Sequence, residues 1–400
     1  MNDWIAGKEK NEMTLIVDNR EIIVDNSKLI RTMDTGADAF TAIIPWEPGK
    51  DYKLDEVTHH NSFSDCGVYI AGDLVMTGVL YGVRQSRDKN GTTKDLRIFT
   101  QTADIIDSTM IAPYEARNIS LVDRCKQLCG PFGIPVVIGN GVDLTTTKKV
   151  FKKAIIIRDF YDALFESEEP PDQLNQNNLD TFQRYKWVYA GTKREIQKFS
   201  RVAAKQTDKI FNHLRKLAAS MGLLLSCTKF GELIITQANI TGKPVGTIEE
   251  DTSLSEVYEA DYDGRKRFGI YRAITSSSRS SRPSAIKSAK DPAITKPRVL
   301  TFRADNSLPG EGSNAAEWQK NKIAAESMTF DFPVNSWYAP NDKIWEPNTI
   351  VTVKSDILES KKGFNFLISR VIYNNSDQGA SAILGLKPPS AYSMGEITEP

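Results

Sequence analysis

The chain has 400 residues with 51 Lys or Arg against 51 Asp or Glu, so its formal net charge is zero. A dedicated nucleic-acid binder carries a cationic excess to neutralise phosphates, and none is present overall. The length predicts roughly two to four domains, and a 40% hydrophobic fraction is that of a globular chain rather than a disordered one.

A net charge near zero removes one barrier to self-association. No apolar run reaches the length of a signal peptide core or of a membrane helix. The chain is therefore expected in the cytoplasm, without a membrane partner, unless a secretion machine carries it as a part. Four cysteines, Cys66, Cys125, Cys129 and Cys227, are too few for a disulfide framework in a chain of this length.

From Met13 the pattern is strand-like. Leu15 and Val17, then Ile22-Ile23-Val24, flank Asp18-Asn19-Arg20-Glu21 as in a hairpin. Phe40 to Ile44 is a short apolar run stopped by Pro45. Val68 and Ile70, then Leu74-Val75-Met76, flank Ala71-Gly72-Asp73, a second hairpin signal. Val79–Val83 and Leu96–Phe99 enclose a longer turn. Short strands at this spacing predict a barrel or sandwich.

At Ile119 the period becomes helical. Leu121, Val122, Cys125, Leu128, Cys129 and Phe132 mark one face; Gly130-Pro131 and Gly133 stop it, and Val136–Ile138 reads as a strand. The phrase returns 89 residues later, with Leu121 falling on Ile210, Cys125 on Leu214, Cys129 on Ala218 and Gly133 on Gly222. The match predicts a duplicated helix–strand module and assigns both cysteines to its core face. It also pairs His213 with Arg124, which predicts an exposed face for His213.

A second echo joins the two ends of the chain. Leu80–Val83, Asp88, Gly91 and Leu96–Phe99 read as strand, turn, strand, and so do Leu367–Val371, Asp377, Gly379 and Ile383–Leu386. A strand precedes each, at Val68–Ile70 and Ile350–Val353. Between the helical phrases an acidic, Asn/Gln-rich linker is expected from Phe165 to about Asp180. Ser276–Ser284, with Arg279, Arg282 and scattered lysines up to Arg298, reads as a long polar, solvated loop. Ala315–Met328 is expected to be helical.

Three stretches together resemble a known family: Gly72–Val79 followed by Thr102–Ser108; Leu128–Pro135 paired with Leu217–Leu225 and Gly231–Thr236; and Ala315–Trp318 through Ile344–Asn348 to Leu384–Pro389. The chain resembles the baseplate hub proteins of Mu-like contractile phages, a family similar in fold to the T-even tail hub and to the hub part of type VI secretion spike proteins. The resemblance implies a mainly β fold with an α+β middle region. Two tube-protein-like β-barrels, at 12–110 and 241–392, would flank a duplicated middle domain at 111–240. It implies a homotrimer whose six barrels join a sixfold tail tube to a threefold central spike. The implied partners are the spike, the tube protein and other baseplate proteins, with DNA only in transit through the lumen. The implied location is the virion baseplate, assembled in the host cytoplasm. A carbohydrate- or receptor-binding β-rich tail module is the alternative, because six Trp and thirteen Tyr offer stacking faces.

No enzyme, cofactor or metal site is expected. Glu249-Glu250-Asp251 and Glu166–Glu169 lie in polar contexts, whereas a general acid needs an apolar pocket. No nucleophile-elbow, zincin or P-loop motif occurs. His59 and His60 are adjacent and would point to opposite faces of an extended chain. The stretch 142–206 departs from the family pattern and predicts a peripheral excursion. Its aromatic residues Tyr185, Trp187 and Tyr189 are the candidate partner interface, with core packing by Trp187 as the competing reading.

Overall fold

The computed structural model describes residues 12–24, 26–50, 52–89, 91–156, 164–167, 184–250, 257–276, 283–303, 312–376 and 379–392. The fold is mainly β. Two compact units are present, one built from the segments up to Val142 and from Ser200 onward, the other from Asp143–Phe199.

The hairpin signals near the start form as the turn residues dictate. Met13–Val17 pairs with Arg20–Ile23 across Asp18 and Asn19, both at positive φ. Two consecutive positive-φ residues match the right-handed twist of the flanking strands, and Asn and Asp tolerate that conformation. The same device, at Ala71-Gly72, joins Asp65–Ile70 to the long strand Asp73–Asp88.

These strands belong to a sheet of thirteen strands among the described residues. Its centre is a junction between the two ends of the chain. Asn26–Thr32 pairs with Ala39–Pro45 on one side and with Phe364–Ser376 on the other. One cross-strand row runs through Ala382, Tyr373, Leu29, Phe40, Ile98 and Leu80. All six are buried, so the first and last segments share one hydrophobic core. Trp337 and Trp345 are buried in it, and each indole N–H reaches a backbone carbonyl, as a buried Trp requires.

The two hairpins that echo one another in sequence are alike in detail. Asp73–Asp88 with Gly91–Phe99, and Phe364–Ser376 with Gly379–Lys387, are antiparallel pairs. Each has one extra residue in its first strand, Tyr81 and Ser369 respectively. Each is preceded by a strand paired antiparallel to its first arm, Asp65–Ile70 and Ile350–Lys354.

The helix–strand phrases also repeat in structure. Helices Leu121–Cys129 and Ile210–Ser220 bury Cys125 and Cys129 in one, Leu214 and Ala218 in the other. Gly133 and Gly222 adopt φ +68 and +69. Ile134 N–H donates to the Cys129 carbonyl, and Leu223 N–H donates to the Ala218 carbonyl. Both helices thus close with the same left-handed C-terminal turn, for which glycine carries no steric penalty. The strands that follow, Val136–Ile138 and Leu224–Cys227, flank the shared strand Leu233–Thr236.

Four expectations need correction. His213 is buried rather than exposed, as is Arg124 at the matching position. His59 and His60 lie in a turn rather than a strand, which brings their ring centroids to 4.0 Å. The polar segment after Ser276 is not all loop. Pro283–Lys290 pairs with Ile270–Ser276, and helix Gly312–Glu326 packs on both strands. Strand formation here follows pairing and a packed face rather than local propensity. The linker expected from Phe165 begins as part of a strand, Leu164–Ser167, paired to Phe151–Ala154; its continuation to Asp180 lies outside the described residues.

The unit Asp143–Phe199 is a three-stranded antiparallel sheet with Thr145–Ile156 between Leu164–Ser167 and Arg184–Ile196. Asp143 and Arg194 form an ion pair of 3.1 Å within it. Among the described residues, no helix is long and apolar enough to cross a membrane.

Candidate assembly surfaces

Sheet edges are the first surfaces to consider, because an edge strand presents backbone groups without partners. The large sheet ends at Arg20–Ile23 on one side and at Glu259–Tyr262 on the other. The first edge is blunted by Arg20, which reaches Glu56 at 2.9 Å. Among the described residues the second pairs only with Met328–Val334. It exposes Glu259, Asp261 and Tyr262, and Val257 just before it is 79% exposed.

A second surface is the sheet of Ile270–Ser276, Pro283–Lys290 and Val299–Arg303. Tyr271, Ala273 and Ala289 form a small core with Ala316 of helix Gly312–Glu326. Alanines on both sides let the helix approach closely. The register puts Arg272 beside Ser288 and Thr301, and Ile274 beside Ile286, on the opposite side. There Ile286 is 61% exposed and Arg272 is exposed. A buried ion pair, Arg267 to Asp291 at 3.0 Å, ties the entry to this sheet to the loop after its hairpin.

The buried polar clusters read as framework. Lys94 is buried, with Nζ 2.6 Å from Asp55 and 2.8 Å from Thr58, and sits over the Trp46 ring. Its hydrogen bond holds the Asp55 carboxyl below the usual carboxylate range. Arg31 reaches the buried Asp38 at 3.2 Å, and the Thr32 N–H donates to the same carboxylate. Burial pushes the Asp38 carboxyl up, against the pull of Arg31. Neither cluster pairs two carboxylates across a cleft, which hydrolytic acid–base chemistry needs. Among the described residues no group of three or more His, Cys, Asp or Glu gathers in a metal-binding arrangement.

Arg124 is different. It is fully buried, with Nη1 bonded to the Pro113 carbonyl and to Gln127, while Nε and Nη2 have no hydrogen-bond partner among the described residues. Burial lowers its pKa. All four cysteines are free and buried. Burial pushes the Cys66 and Cys129 thiols up to about 12.

Of the candidate interface residues, Tyr185, Trp187 and Tyr189 occupy alternate positions of strand Arg184–Ile196, in register with Ile155, Lys153 and Phe151. Their side chains lie outside the described residues. The exposed edge at Glu259–Tyr262 and the outer face at Arg272 and Ile286 were not singled out by sequence reasoning. Alternation over four or five residues in polar company gives little periodic signal.

No family model matches the sequence. The chain is 21% identical to the baseplate hub protein gp44 of Escherichia phage Mu, over 96% of this chain and 89% of that protein. The chain is similar to the Mu-type baseplate hub proteins along nearly its whole length. Among solved structures, two tail proteins share the fold of this chain. The 43 kDa tail protein of prophage MuSo2 from Shewanella oneidensis superposes with a TM-score of 0.67 at 18% identity, covering 95% of this chain and 99% of that one. The tail protein from Neisseria meningitidis MC58 superposes with a TM-score of 0.70 at 17% identity, covering 95% and 97%. These likenesses are to tail and baseplate proteins.

Proposed function

We propose that this chain is a structural, non-enzymatic baseplate hub protein of a contractile phage-type tail, present in the virion and assembled in the host cytoplasm. Three copies form a ring with a pseudo-sixfold outline, which joins a sixfold tail tube to a threefold central spike. The observation that carries the reading is the repeated bulged hairpin, with its preceding strand, at the two ends of the chain. A trimer of such a chain presents six equivalent hairpins, so one face can meet a sixfold neighbour and the other a threefold one. The likeness to the Mu hub protein over 96% of the chain supports the same reading.

On this reading residues 12–110 and 241–392 act as the two tube-like modules, although their strands meet in one sheet. Residues 111–240 form the middle module, and the excursion at 142–206 faces a neighbouring baseplate protein through Tyr185, Trp187 and Tyr189. Negative-stain class averages of the purified protein test it. Rings with three strong and three weaker lobes are expected, and compact single-chain particles at every concentration would contradict it.

A further inference from the structure

The zero net charge hides a sharp segregation. From Pro244 to Gly264 the sequence carries seven carboxylates and no Lys or Arg. From Arg265 to Arg303 it carries eleven Lys or Arg against the single carboxylate Asp291. The acidic block contains the edge strand Glu259–Tyr262, and the basic block is the sheet of Ile270–Ser276, Pro283–Lys290 and Val299–Arg303.

Part of this charge is consumed internally. Asp263 holds Arg265, Arg267 holds Asp291, and Glu249 holds Lys354. Glu250 also accepts from Ser355 and the Ile357 N–H, and Arg298 donates to the Gly264 and Arg265 carbonyls. The side chains of Glu259 and Asp261 on the edge strand, and of Arg272 and Lys290 on the sheet face turned away from the helix, are exposed and form no ion pair among the described residues, although Asp261 lies in the field of Arg265. Both surfaces also expose apolar groups: Val257 and Tyr262 beside the acids, Ile286 and Val299 beside the bases. Exposed apolar groups clustered beside an edge strand mark a surface that another chain can cover.

We propose that the acidic edge strand Glu259–Tyr262 of one copy docks on the outer sheet face carrying Arg272 and Lys290 of the next copy. The occupant is a second copy because the complement of each surface, in charge and in apolar content, is found on the same chain. The two patches differ, so the contact is heterologous; such contacts close into a ring when the rotation between neighbours permits. Charge opposition sets which patch meets which, and the apolar pairs supply area to bury. A nucleic acid is the weaker occupant, since the basic face offers Ile286 and Val299 rather than exposed aromatic rings for base stacking. This inference rests on the ring reading and names the surfaces that would close the ring.

The test is charge reversal read by sedimentation of the full chain at low and high salt. Glu259→Lys with Asp261→Lys should weaken self-association on the order of a hundredfold, and so should Arg272→Glu with Lys290→Glu. The fourfold swap should restore it, and association of the native chain should weaken as salt rises. Unchanged melting temperatures of the variants show that the fold is intact. If the native chain assembles and both reversals assemble equally well, the docking is wrong and the ring reading survives. If the native chain never assembles, both fall. If a short DNA duplex binds the native chain and the Glu259/Asp261 variant but not the Arg272/Lys290 variant, the face serves nucleic acid and the proposal is overturned.

Discussion

Gly385 stands directly opposite Arg370 in the C-terminal hairpin, one step from the bulge at Ser369. A Cβ at position 385 would lie 3.0 Å from the Arg370 Cβ. The first hairpin has the same pair with the roles exchanged: Gly82 faces Arg97 one step from the bulge at Tyr81, with a Cβ contact of 3.4 Å. Each bulge residue is anchored, Tyr81 to Asp104 at 2.7 Å and Ser369 to the Gly385 carbonyl at 2.9 Å. Arg370 in turn reaches both carboxylate oxygens of Asp331.

The two glycines therefore differ in how much they tolerate. Gly385→Ala should cost on the order of 1–3 kcal/mol, because the buried strand must shift to admit the methyl group. Gly82→Ala meets an ordinary contact distance and should cost less than about 1 kcal/mol. Urea unfolding midpoints at unchanged slope measure both.

The buried cysteines should resist labelling. Their thiols are inaccessible and, for Cys66 and Cys129, pushed up to about 12, so thiolate is scarce even at alkaline pH. A thiol reagent at mildly alkaline pH should modify the native chain far more slowly than the unfolded one. Cys125→Ser should cost on the order of 1–3 kcal/mol by placing a hydroxyl in the core.

Much of this architecture was legible in the sequence, for stated reasons. The Asp18–Glu21 and Ala71–Asp73 stretches announce hairpins, whose turns prove to be the two residues Asp18-Asn19 and Ala71-Gly72, and a stop glycine after an amphipathic face announces the duplicated helices. What was not legible depends on partners distant in the chain. The pairing of Asn26–Thr32 with Phe364–Ser376 leaves no local mark, although it fuses the two end segments into one sheet. Pro283–Lys290 has only Ala285, Ile286 and Ala289 as apolar positions, and becomes a strand because Ile270–Ser276 and a helix receive it. Arg124 and His213 are polar in sequence, and only tertiary packing buries them.

Arg124 yields a prediction opposite to the usual one. A buried guanidinium with two unpartnered nitrogens and no carboxylate carries its desolvation cost uncompensated. Arg124→Met should leave stability unchanged or raise it by about 1 kcal/mol. A large loss in the thermal melt would show that the cation is compensated.

The Lys94 cluster should make stability acid-sensitive. The Asp55 pKa is lowered in the fold, mainly by its hydrogen bond from Lys94. A depressed carboxylate contributes stability that is present above its unfolded pKa of about 3.9 and lost as pH falls through the lower folded value. Asp55→Asn should therefore flatten the decline in stability below about pH 4. An unchanged acid limb would assign that decline to other carboxylates.

The excursion separates from the rest by deletion. Removing residues 168–180 should leave self-association intact, because the proposed ring contacts lie in the other unit. Trp187→Ala should abolish assembly with baseplate partners at unchanged melting temperature if the strand is an interface, whereas a large drop in melting temperature means that Trp187 packs a core.

The central claim is the ring of three. Light scattering coupled to size exclusion measures it directly: the account predicts a particle of three times the 44.7 kDa chain mass at high concentration. A single-chain mass at every concentration, unchanged by added spike or tube protein, would contradict it.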